Sequence, residues 1–160
     1  MQETPTKITE LGKNMILEKI NSYCNYRERC IKETRFKLLS YHLQKQDVEE
    51  MLSDLINQNI INDQRFADAF VRGKFKLNRW GKLKIKSALK QFEIKDQYIK
   101  NALSSINEND YKKILYDLAK KKFQQLKSEK NLFIKKVKVQ NFLLQKGFEK
   151  NFIADAIGKL

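Results

Sequence analysis

Proline occurs once, at Pro5, and glycine only five times in 160 residues. Strands joined by tight turns draw on both residues, so their scarcity favours helices over sheet. Histidine also occurs once, at His42, with no Cys, Asp or Glu cluster around it at a ligand spacing. It reads as a surface or partly packed side chain rather than a catalyst or a metal ligand. The two cysteines, Cys24 and Cys30, are too few and wrongly spaced for a zinc site or a disulfide framework, and read as reduced structural thiols. No apolar run approaches the roughly 20 residues that cross a bilayer. Met1 to Lys7 is polar, unlike a secretory signal, so the expectation is a cytoplasmic protein. No glycine-rich loop precedes a helix, and no carboxylate pair is marked for acid–base work, so the sequence gives no reason to expect an enzyme.

Positive charge is abundant. Lys and Arg number 33 against 19 Asp and Glu, a net charge of +14. A surplus of that size suits a polyanionic partner, either nucleic acid or an anionic membrane surface. The surplus is uneven. From Asp47 to Asp63 the chain carries acids and no Lys or Arg, whereas between Asp68 and Glu93 it carries no acid at all.

Along the chain, Thr4-Pro5 suits a helix entry, and Ile8, Leu11, Met15, Ile16 and Ile20 follow at helical spacing. A second segment, Arg27 to Gln46, carries Ile31, Leu38, Leu39 and Leu43. Asp47-Val48-Glu49-Glu50 reads as a capping box with Asp47 as the cap, ahead of Met51, Leu52 and Leu55. Further on, Ile85, Leu89, Ile94, Ile99 and Leu103 return as Val139, Leu143, Phe148, Ile153 and Ile157, every pair 54 residues apart. Val48 and Leu52 precede Ile99 and Leu103 by 51, which marks a shortened first copy. Another helix precedes each later copy, over Gln64 to Leu77 and Tyr111 to Leu126. The expected fold is all-α, an elongated tandem array of three three-helix modules over 1–60, 61–108 and 109–160. A unit of about fifty residues buries little surface alone, so each should lean on its neighbours. Gly147 suits a left-handed helix end, while Glu93 holds the matching place in the second copy.

The most informative stretch is INDQRFADAFVRGKFKLNRWG, from Ile61 to Gly81. Asp63 is placed to cap a helix whose apolar stripe is Phe66, Ala67, Phe70, Val71 and Phe75. From there on, Arg72, Lys74, Lys76, Arg79, Lys82, Lys84, Lys86 and Lys90 make an unbroken basic run. Lys82, Lys86 and Lys90 advance four residues at a time, a row that could follow a phosphate backbone. Trp80 and Phe75 could stack on bases if exposed, but for Trp80 the favoured reading is packing between helices. A second basic region opens with Lys120, Lys121 and Lys122 and continues through Lys138. For both regions the alternative is a solvated face.

Asp63, Arg65, Phe66 and Ala67, then Arg72 and Gly81, then Gly147-Phe148 near the close, resemble the signature of the RecX family of recombinase regulators. The resemblance runs from about Arg27 to Ile157. It implies an all-helical protein that binds the RecA recombinase filament on single-stranded DNA and inhibits its ATPase and strand-exchange activity. Such a protein modulates recombination, DNA repair and the SOS response, as a monomer, with no cofactor and no membrane partner. The competing reading is a helix-turn-helix repressor on duplex DNA. The Lys-rich, Asn- and Gln-poor segment from Lys82 to Lys90 favours phosphate contact over base reading. An anionic-membrane protein would show an exposed apolar face with aromatic anchors, and none is evident in the sequence.

Overall fold

The structure, a computed structural model, describes residues 8–160, which contain nine α-helices and no strand. Three helices form each of three successive groups: α1 (Glu10–Tyr26), α2 (Ile31–Leu39) and α3 (Lys45–Asn57); α4 (Asp63–Lys76), α5 (Lys82–Gln91) and α6 (Asp96–Ser104); α7 (Glu108–Gln125), α8 (Leu132–Gln145) and α9 (Lys150–Gly158). Within each group, neighbouring helices pack on one another. The accessible surface, 10696 Å², exceeds the about 8,400 Å² of a compact monomer of this mass, as an extended array requires. The entry expected at Thr4-Pro5 lies outside the described residues; α1 starts with Thr9, whose hydroxyl accepts from Gly12 N at 3.1 Å.

The middle helices show why the apolar rhythm repeats. Each ends in a residue with left-handed backbone: His42 (φ 59°) after α2, Glu93 (φ 58°) after α5 and Gly147 (φ 91°) after α8. Glu93 N donates to Lys90 O and Ile94 N to Leu89 O; Gly147 N donates to Leu144 O and Phe148 N to Leu143 O. Those bonds satisfy the last free carbonyls of the helix and turn the following apolar residue inward. The copies therefore share one turn, although glycine serves it once.

Two hydrophobic cores form. Ile20, Leu38, Val48, Met51, Leu52, Leu55 and Ile61 make the core of the first group. The second and third groups share one core, joined at Tyr111. Its ring lies 5.8 Å from Phe75, 5.2 Å from Phe148 and 5.5 Å from Phe152, centroid to centroid. Burying an aromatic of this kind contributes about 1.5–3 kcal/mol, so neither group is complete without the other.

Several local expectations are corrected. Asn62, not Asp63, caps α4, accepting from Arg65 N at 2.9 Å. Asp47 caps nothing: α3 begins two residues earlier, at Lys45, so Asp47 sits inside its first turn. Leu11 and Met15 lie on the open side of α1 and Leu39 on the surface of α2, because the short first group covers only one side of each helix. Phe75 is 5% exposed and packed on Tyr111, so it offers no ring for stacking.

Candidate nucleic-acid and filament interface

The basic run divides between opposite sides of α5. Residues two apart on a helix point roughly 200° apart, so Lys82, Lys86 and Lys90 leave one side and Lys84 another. The first three line an open groove of about 430 Å³ with Asp96, Lys100 and Leu103 of α6. Lys86 and Lys90 are exposed, whereas the Lys82 ammonium sits over the Tyr111 ring, 4.8 Å from its centroid. On the other side, Trp80 is half-buried, with the ammoniums of Lys74 and Lys84 at 4.9 and 4.4 Å from its centroid. Such cation–π contacts fix the lysine stems without neutralising their charge. Trp80 thus packs as an inter-helix side chain while keeping a partly open ring.

The Trp80 side continues across the junction. Lys146 Nζ donates to Asn78 O at 3.3 Å, and Lys122 and Lys146 flank the Phe142 ring at 5.2 and 5.9 Å. Lys120 and Lys121 are exposed on α7. Arg72 and Lys76 are exposed on α4, and Arg79 turns the chain beyond it in a left-handed conformation (φ 54°). Among the described residues, the ion pairs fall on Arg27, Lys32, Arg35, Arg65, Lys112 and Lys138, and none on the basic run or on Lys120 to Lys122. None of these charges is ion-paired, although Asp96 lines the groove beside Lys82, Lys86 and Lys90. Lys100 and Lys146 join these two surfaces without having been singled out in the sequence. Their membership depends on partners in other helices, Lys146 on Asn78 above all.

Asp63 and Arg65 of the signature instead build a junction. Asp63 accepts from Ile31 N, at the start of α2, at 2.9 Å, and burial raises its carboxyl above the usual range. Arg65 bonds Glu28 at 2.7 Å and the carbonyls of Asn59 at 3.1 Å and Ile60 at 2.9 Å. Cys30 lies buried at this junction, where burial raises its thiol to about 11. The Lys32 ammonium reaches the last carbonyl of α5, Gln91 O, at 2.8 Å, where the helix dipole favours a cation.

The second junction uses glycines. Gly81 N donates to Lys146 O at 2.7 Å and Leu83 N to Gly147 O at 2.9 Å. Lys82 N donates to the Tyr111 hydroxyl at 3.0 Å, and that hydroxyl donates to Glu149 at 2.5 Å. Three free N–H groups at the start of α5 thereby find partners in the third group. Burial, reinforced by Glu149, raises the Tyr111 phenol far above its ordinary range.

Fold and surface together define a class: a tandem array of three-helix modules, hydrogen-bonded across its junctions and carrying lysine without ion-pair partners on its outer faces. Residues 62–103 match the model of the RecX second three-helix domain, and residues 109–157 that of the third. The chain is 30% identical over 150 residues to the regulatory protein RecX of Clostridioides difficile, covering 93% of this chain and 68% of that protein. It is 29% identical over 132 residues to that of Clostridium acetobutylicum. The crystal structure of RecX from Lactobacillus salivarius superposes with a TM-score of 0.83 at 26% identity, over 92% of this chain and 96% of that one. The chain belongs to the RecX family of regulatory proteins. It spans 61% of the C. acetobutylicum relative and 55% of that from Clostridium perfringens. Among the described residues, no helix is long and apolar enough to cross a membrane.

Proposed function

We propose that this protein binds a RecA-type recombinase filament on single-stranded DNA and restrains its ATP hydrolysis and strand exchange, so modulating recombination and repair. It would act in the cytoplasm as a monomer, by occupancy rather than by chemistry. Family membership supports the regulatory part of this reading. The observation that carries the interaction is the pair of lysine surfaces on opposite sides of α5, with no carboxylate paired to them. Each lysine set against a phosphate releases counterions, which supplies affinity without sequence preference. Two surfaces on a rigid body can engage DNA and an acidic protein face together. An array seated along a filament then blocks subunit addition and access of partner DNA.

The test compares affinity for recombinase-coated strands, bare random single strands and duplex, alongside recombinase ATPase. Tighter binding to the coated strand, with inhibition that excess bare DNA does not relieve, is the expected result. Equal affinity for coated and bare strands would refute the filament mechanism. Preference for one duplex sequence would instead support a repressor. Deleting the third group is unsuitable as a control, because Phe75 would lose its Tyr111 partner and α5 its N-terminal acceptors. Point substitutions on exposed lysines keep the shared core intact.

A further inference from the structure

The loop and first turn that join α7 to α8 carry a feature the basic surfaces above do not explain. Leu132, Phe133 and Ile134 are consecutive, and they are 57%, 75% and 42% exposed. On a helix, three consecutive residues fan through roughly 200°, so no single neighbouring element could cover all three. Their backbone is anchored by hydrogen bonds: Asn131 caps α8 by accepting from Ile134 N at 3.1 Å, and Lys135 N donates to Asn131 O at 2.9 Å. The surroundings are strongly cationic. From Lys120 to Lys138 the sole acid is Glu129, and it is already paired with Lys138 at 3.0 Å. Lys135 lies over the half-buried Phe123 ring at 3.9 Å, which holds its ammonium beside the exposed turn.

We infer that this tip is a nucleobase-contacting site, with Phe133 stacking on or wedging between bases of a single strand while the surrounding lysines hold its phosphates. The inference rests on the proposed single-strand reading and adds to it a base-contacting residue. Apolar wedges and aromatic platforms are the side chains that unstack and hold bases. The arrangement favours a strand over a membrane. A flat bilayer rewards an apolar pole set apart from a basic belt. Here Lys130 precedes Leu132 to Ile134, and Lys135 and Lys136 continue their fan around α8 at roughly 300° and 400° from Leu132, so basic and apolar groups interleave. A single strand, which alternates phosphate and base, matches that interleaving. Trp80 offers less open ring than Phe133, because it is half-buried between two lysines.

The experiment measures binding of the full chain to labelled oligothymidylate and to a base-free abasic strand of equal length. Wild type, Phe133→Ala and Phe133→Trp are compared, with anionic phosphatidylglycerol vesicles as a separate arm. The wild type should prefer the base-bearing strand. Phe133→Ala should weaken that binding by about fivefold or more, the lower end of the worth of one stacked base, and leave abasic binding unchanged. Phe133→Trp should restore the preference. An equal preference in wild type and Phe133→Ala, with recombinase inhibition intact, would overturn this inference alone. Vesicle binding lost in Phe133→Ala, without change on DNA, would assign the tip to a membrane and overturn it too. Absence of any strand binding by the wild type would overturn both this inference and the single-strand reading.

Discussion

Gly81 and Gly147, 66 positions apart in the sequence, meet backbone to backbone, with Gly81 N bonded to the carbonyl just before Gly147. A β-carbon on Gly81 would collide with the backbone of Gly147 and Phe148, and one on Gly147 with the backbone of Lys84. Gly81 itself has ordinary extended geometry (φ −76°), so close approach explains it, not backbone freedom. Gly147 needs both, because its φ is positive. Gly81→Ala and Gly147→Ala should each lower stability by about 2–4 kcal/mol, read from urea unfolding. Glu93→Gly should raise it by about 0.5–1 kcal/mol, since it removes left-handed strain and loses only an exposed ion pair with Lys32. If Gly81→Ala unfolds at the wild-type midpoint, the junction is looser than described.

Tyr111 is the second test of that junction. Removing its hydroxyl leaves Lys82 N–H and Glu149 without their shared partner, so Tyr111→Phe should cost about 1–3 kcal/mol. The phenol is also a pH probe. Its folded value lies above its ordinary 10.0. A raised value means the protonated form is favoured on folding, so this stability is complete below pH 10 and is lost as pH climbs towards the folded value. Alkaline unfolding should therefore begin at higher pH in Tyr111→Phe once its lower baseline is subtracted. Superimposable pH profiles would count against the buried phenol.

Arg65 tests the first junction. Its guanidinium spans Glu28 and two carbonyls of the α3–α4 link, and it is partly exposed, which moderates its contribution. Arg65→Met should cost about 1–2 kcal/mol. It should also speed proteolytic cleavage between Asn59 and Asn62 without changing helix content. Unchanged cleavage would show that Asp63 and the packing of Cys30 suffice to hold the first group.

Salt dependence tests the groove. Lys82→Gln, Lys86→Gln and Lys90→Gln together should reduce the slope of log affinity against log salt for single strands by about 2, at about 0.7 per lost phosphate contact. Thermal stability should change little for the exposed Lys86 and Lys90. An unchanged slope would move the DNA contact to the Trp80 face or to the tip of α8.

What the sequence alone determined is local. The helical spacings of Ile85, Leu89 and their counterparts, and of Phe66, Val71 and Phe75, act within four residues. Their result is therefore readable from neighbours in the chain, as is the repeat that makes three groups of three. The left-handed turn was legible at Gly147 but not at Glu93 or His42, where the hydrogen bonds of the helix end impose it on residues that do not prefer it. Tertiary structure alone decided the partners of the signature residues. Asp63 accepts from Ile31 N in the first turn of α2, 32 positions away, instead of capping α4. It also decided that eight neighbouring basic residues serve separate faces, that Phe75 is buried, and that Phe133 is not. Each outcome depends on which helix lies opposite, and that is set by packing across the junctions rather than by the order of residues along any one helix.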